Sequence, residues 1–158
     1  VFLVVAAVVG ELLVSDGAYA THAYNPLEKT GLLAIDVRTA ADPTHSAADA
    51  ALDRAAFMTD ILDEEATEIR WANDTTPAVH ARQAVVVTQD IRANLDRAED
   101  RELTAAQQSR AARIRARSDR ARTEVVRAID DTIRTAPETV DLSRLRASRD
   151  ALQRETGP

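Results

Sequence analysis

The sequence predicts an all-α protein, an antiparallel helical bundle or a long helical hairpin, preceded by an N-terminal apolar segment. Three observations carry that prediction. Aromatic residues are only 3 % of the 158 residues and Gly occurs 4 times, against 45 % apolar residues. Strand formers and turn glycines are therefore too few for a β sandwich or barrel, while the aliphatic content is too high for a disordered chain. Helix-start signatures recur along the chain, and between them apolar residues return at spacings of three, four and seven.

The chain divides into residues 1–20, an apolar anchor or signal segment, and residues 25–158, a helical bundle domain. The opening residues read VFLVVAAVV, followed by Gly10, Glu11 and Leu12-Leu13-Val14. As a helix these fourteen residues reach about 21 Å, short of the roughly 30 Å hydrocarbon layer. Phe2, Leu3, Val5, Val9, Leu12 and Leu13 are the candidate lipid-contacting side chains. Glu11 is placed at the lipid–water boundary, because a carboxylate inside the bilayer is costly. Ala18-Tyr19-Ala20 has the small-x-small form of a signal-peptidase site, although no Lys or Arg precedes Lys29. The competing reading buries this segment in the domain's own core.

Each later element has its own punctuation. Asn25-Pro26-Leu27-Glu28 supplies a cap, a first-turn Pro and a Glu three residues after the cap, which opens a helix to about Ala41, stopped by Asp42-Pro43. Gly31 weakens its middle, and residues 32–37 could alternatively form a short strand. Ser46 with Asp49 opens the next helix, running to about Asn73 with Ala51, Ala55, Met58, Leu62 and Ile69 on one face. Trp71 near its end is read as a cap on the bundle. Thr76-Pro77 starts a third helix. Between Pro77 and Arg134 there is neither Gly nor a further Pro, yet the apolar series Ala81, Ala84, Thr88, Ile91, Leu95, Ala98 is out of heptad phase with Ile114, Ser118, Ala121, Val125, Ala128. A turn is therefore expected within the charge-dense residues 99–102, against the alternative of one helix about 87 Å long. Asp141 is read as the cap of a last short helix containing Leu142, Leu145 and Leu152.

Charge narrows the functional classes. The net charge is −6, which makes nucleic acid a poor partner, and of 20 basic residues only Lys29 is Lys. Zero Cys removes thiolate metal sites, disulfide scaffolds and Cys nucleophiles. Asp60, Glu64 and Glu68 share one helix face within an acidic patch that includes Asp63 and Glu65. Arg110, Arg113, Arg117 and Arg120 form a basic stripe at spacings of three, four and three. The stripe is expected to face the acidic helix and fix how the two helices pair. The alternative is an external anion such as a phosphate or an anionic lipid, while the stacking of single-strand nucleic-acid binding is removed because no aromatic interleaves the stripe. Carboxylates at this spacing can also bind metal, but His22, His45 and His80 do not follow a Glu by three, so no metal and no cofactor is expected. P-loops, nucleophile elbows and dinucleotide fingerprints are absent from the sequence.

Small seam residues bury little area each, and at about 25 cal/mol per Å2 such a core leaves room for a protein partner or a second copy. The expected function is a non-enzymatic, membrane-anchored or exported helical interaction module, with the helical domain outside the cytoplasm and residues 1–14 in the membrane. In outline the arrangement is similar to the extracytoplasmic helical sensors of chemoreceptors, which would make it the sensor domain of a truncated membrane receptor. A carboxylate-metal enzyme is the least favoured class.

Overall fold

The computed structural model describes residues 25–71 and 77–155. Within them lie five helices and no strand: α1 (Pro26–Ala41), α2 (Ala47–Trp71), α3 (Pro77–Glu99), α4 (Ala105–Thr135) and α5 (Ser143–Arg154). The expected membrane side chains Phe2, Leu3, Val5, Val9, Leu12 and Leu13 lie outside the described residues, as does Asn73. No helix among the described residues is long and apolar enough to cross a membrane.

The starts of these helices follow from local hydrogen bonding. Asn25 Oδ1 accepts from the Leu27 and Glu28 amides at 2.9 and 3.0 Å, and Glu28 returns a bond from the Asn25 N–H. This reciprocal box fixes the first turn of α1, so residues 32–37 are helical rather than extended. Ser46 and Asp49 bond reciprocally at the start of α2. Thr104 and Gln107 form a third box, which opens α4 and separates it from α3. The break falls at the expected turn, so the 87 Å helix is not formed. Asp141 is one residue further out than expected. Its carboxylate accepts from the Ser143 amide at 2.9 Å, while Leu142 holds the cap position and has no side-chain acceptor to offer.

Successive helices alternate in direction. Glu65 meets His80 and Met58 meets Asn94 across α2 and α3, which is an antiparallel register. Arg110 meets Asp53 and Arg117 meets Asp60 across α2 and α4, which is therefore a parallel one. The α2, α3 and α4 helices form the centre. On its outside, α1 packs against α2, while α5 packs against α3 and α4.

The buried stripe combines Leu52, Met58, Leu62 and Ile69 of α2 with Val87 and Ile91 of α3 and Val125 and Ile129 of α4. Ala55, Ala81, Ala84, Ala98 and Ala128 are fully buried between them. These small side chains let the helices approach closely, at the expense of area per layer. Only Leu32 of α1 is fully buried in this core. Gly31 beside it accommodates the Phe57 ring, which a Cβ at that position would overlap.

Candidate functional site

The basic and acidic stripes separate into an inner and an outer set. On the inner side, Arg110 Nη2 lies 2.5 Å from Asp53 Oδ1. Arg117 reaches Asp60 and Asp63, each at 2.5 Å. Further along, the polarity reverses: Arg70 of α2 pairs with Glu124 of α4 at 3.2 Å. Because α2 and α4 run parallel, the seven-residue steps from Arg110 to Arg117 to Glu124 return to the same facing side. The outer set is Arg113 and Arg120 on α4 with Glu64 and Glu68 on α2. All four are exposed, and none forms an ion pair among the described residues.

At the base of this ladder the two helix starts are tied together. Gln107 Oε1 accepts from the Thr104 N–H at 3.0 Å, closing the α4 box, while its Nε2 donates to Asp49 Oδ1 at 2.9 Å and Ser46 Oγ at 3.2 Å. Hydrogen bonds from Ser46 and then Gln107 hold the Asp49 carboxyl below its usual range. Asp53 gathers a second junction, receiving Arg110 at 2.5 Å and approached by Arg38 at 3.8 Å and His45 Nε2 at 3.2 Å. The His45 nitrogen is close without being aligned for a hydrogen bond.

A carboxylate–imidazole cluster joins α1, α2 and α3 toward the opposite end. Glu65 is 4 % exposed, and its Oε2 lies 3.0 Å from His80 Nδ1. Burial, reinforced by the charges of Glu28, Glu68 and Glu64, pushes the Glu65 carboxyl up to about 8. At neutral pH the Glu65 carboxyl is therefore held largely in its protonated form, within hydrogen-bond distance of Nδ1. Glu28 is also raised, chiefly by burial, although the Gln83 amide donates to both of its oxygens at 3.2 Å. Glu65 belongs to the sequence's acidic patch, but its burial sets it apart from Asp60, Glu64 and Glu68.

A cleft of about 530 Å3 lies between α3 and α4 just beyond the C-terminal end of α5. It exists because α5 is short and fills only part of the α3–α4 groove. Ile91, Leu95 and Ser118 line its floor, with Arg92, Asp119 and Glu155 also on its walls. Arg122 is 8 % exposed and donates to the Leu152 carbonyl at 3.0 Å and to Asp119 at 3.2 Å. The first of these bonds satisfies one of the carbonyls that a helix C-terminus leaves open. Arg92 pairs with Glu155 at 3.2 Å.

Trp71 does not cap the bundle. It is 81 % exposed, because the core stripe of α2 ends at Ile69 and the following residues pass beyond it. Among the described residues no group of three or more His, Asp or Glu side chains is placed to hold a metal ion. Comparison with known proteins finds no matching family model, no similar curated protein and no similar solved structure.

Proposed function

We propose that this chain is a membrane-anchored or exported helical interaction module that works by contact, with its helical domain outside the cytoplasm. The observation that carries the reading is the division of the arginine stripe. Arg110 and Arg117 are spent on the α2–α4 ladder, whereas Arg113 and Arg120 stand two turns apart on the outer face of α4 without an ion-pair partner among the described residues. Two cations held at fixed spacing on a rigid helix suit an acidic surface on a partner or on a second copy, where they would govern orientation and association rate. The apolar residues 1–14 would concentrate the domain at a membrane.

The test separates contact from folding. Arg113→Glu with Arg120→Glu should weaken self-association of the full chain in sedimentation or cross-linking while leaving its unfolding curve unchanged, since neither residue holds the domain together. An unchanged association state removes this face as the contact surface. Fractionation of cells making the full chain addresses the location: recovery as a cytosolic protein with an intact terminus overturns anchoring and export together.

A second reading, a sensor domain, is favoured by the cleft of about 530 Å3 beside α5. That volume falls within the ~300–1,000 Å3 typical of small-molecule sites. A thermal-shift screen of amino acids and dicarboxylates against the wild type and Arg92→Ala would support it through a hit that the variant loses.

A further inference from the structure

A hydroxyl inside a helix commonly bonds back to the carbonyl four residues earlier. Thr59 and Thr88 do so at 2.8 Å, as does Thr123 on α4. Ser118 of α4 does not. It is 8 % exposed, and its hydroxyl has no hydrogen-bond partner among the described residues. Ser118 lies on the floor of the cleft of about 530 Å3 between α3 and α4, together with the buried Ile91 and Leu95. Thr88 lines the same cleft, but its hydroxyl is spent on the Ala84 carbonyl. Buried polar groups are nearly always hydrogen-bonded, so an uncommitted hydroxyl on an apolar floor marks a place for a group from outside.

The charges on the cleft walls decide what that group can be. Arg92 is paired with Glu155 at 3.2 Å, Arg115 with Glu99 at 2.6 Å and Arg122 with Asp119 at 3.2 Å. Every arginine of the lining therefore already holds a carboxylate. Among the described residues, Asp96 is the lining carboxylate left without an ion-pair partner. An incoming anion would have to displace one of the existing pairs, whereas a cation meets a carboxylate that is free. The net charge of −6 draws cations toward the chain as well. Among the described residues no aromatic side chain lines the cleft, so a quaternary ammonium would find no ring face to rest on. A primary ammonium instead carries three N–H donors, which match the oxygens of Asp96 and Ser118.

We propose that the cleft between α3 and α4 binds a small primary ammonium ion with an aliphatic body, its N–H groups donating to the Asp96 carboxylate and the Ser118 hydroxyl and its carbons resting on Ile91 and Leu95. The inference rests on the reading of this cleft as a small-molecule site and adds the class of ligand and the residues that select it.

The test is isothermal titration of the full chain with probes that share one butyl body: n-butylammonium, n-pentanoate and n-butyltrimethylammonium. The primary ammonium should bind, and the other two should bind more weakly or not at all. Asp96→Asn should lower its affinity about tenfold or more, and Ser118→Ala about threefold or more. Glu138→Gln removes an exposed carboxylate from the α4–α5 connection, the length of α5 or about 18 Å from the cleft, and should bind as the wild type does. Urea unfolding curves of the three variants should overlay that of the wild type, which keeps any loss of binding local. Equal losses in Asp96→Asn and Glu138→Gln would show diffuse attraction to a negative chain and overturn the proposal, as would an affinity untouched by Ser118→Ala. Tighter binding of pentanoate overturns the cationic class while leaving the cleft a small-molecule site and the sensor reading intact. Absence of binding by every probe also overturns the proposal, and the sensor reading then rests on the screen against Arg92→Ala.

Discussion

The guanidinium of Arg117 lies 2.5 Å from Asp60 Oδ1 across two helices that run in the same direction. With Asp63 on its other nitrogen and Arg110–Asp53 one heptad below, it sets the height of α4 on α2. The Arg70–Glu124 pair, reversed in sign, makes that height unique. Sliding α4 one heptad toward the α2 C-terminus would bring Arg117 up to Arg70. Sliding it the other way would set Glu124 against Asp60 and Asp63. Either slip juxtaposes like charges, so the ladder selects the register, although each half-exposed pair contributes only about 0.2–1 kcal/mol.

Arg117→Glu should therefore destabilise the domain by about 1 kcal/mol, the loss of two such pairs. Adding Asp60→Arg to the same chain should recover part of that loss, measured as a non-zero coupling in a urea double-mutant cycle. Strict additivity would show that the two side chains do not meet in solution.

Gln107 serves two helix starts at once, closing the Thr104 box of α4 and donating to the Ser46–Asp49 box of α2. Gln107→Ala should cost about 1–2 kcal/mol, more than removal of a single cap contact typically does. Ser109→Ala, at an exposed neighbouring position, should stay within about 0.5 kcal/mol. Equal effects in urea unfolding would deny Gln107 its double role.

Gly31 presents a conflict between local propensity and packing. Alanine there would favour the α1 helix by about 1 kcal/mol, but its Cβ would overlap the Phe57 ring. Since α1 places only Leu32 fully in the core, losing the Phe57 seat should outweigh the propensity gain. Gly31→Ala is expected to destabilise the domain, and Phe57→Leu in the same chain to reverse the sign. A stabilised single variant would mean that Phe57 turns aside freely.

Most of the helix boundaries were legible because they are written in local chemistry. Asn25 with Glu28 and Ser46 with Asp49 each act within one turn, and the phase break between Ala98 and Ile114 lies between neighbouring segments of the chain. The parallel pairing of α2 and α4 is a relation between residues more than fifty positions apart. The stripes suggested which helices meet, but not that Arg110 and Arg117 would turn inward while Arg113 and Arg120 faced out. Trp71 departs from the expectation that a large apolar side chain finds cover, because the core stops two residues earlier. Glu65 did carry a signal: it lies three residues after Leu62 and four before Ile69, a core position occupied by an acid within a patch of solvated ones.

That buried acid gives the domain its clearest pH dependence. Unfolded, Glu65 titrates near its ordinary 4.5; folded, it is pushed up to about 8, because burial and then the charges of Glu28, Glu68 and Glu64 oppose its ionisation. The folded state thus binds more protons than the unfolded one between these values, and stability must fall as pH rises through that window. The contribution is fully present below pH 4.5 and lost as pH climbs through about 8, a change on the order of a few kcal/mol. Glu28, also raised by burial, acts with the same sign. Asp49, held low by Ser46 and Gln107, acts oppositely and only at the acid end. Glu65→Gln keeps a neutral hydrogen-bonding group beside His80 Nδ1 but cannot ionise. Its urea unfolding free energy, followed between about pH 5 and pH 9, should be nearly flat where the wild type declines. A variant that declines as steeply as the wild type would show that the proton is not held at Glu65. Deprotonation would then have to be sought at Glu28, where the Gln83 bond and the Asn25 cap should make ionisation less disruptive to α1.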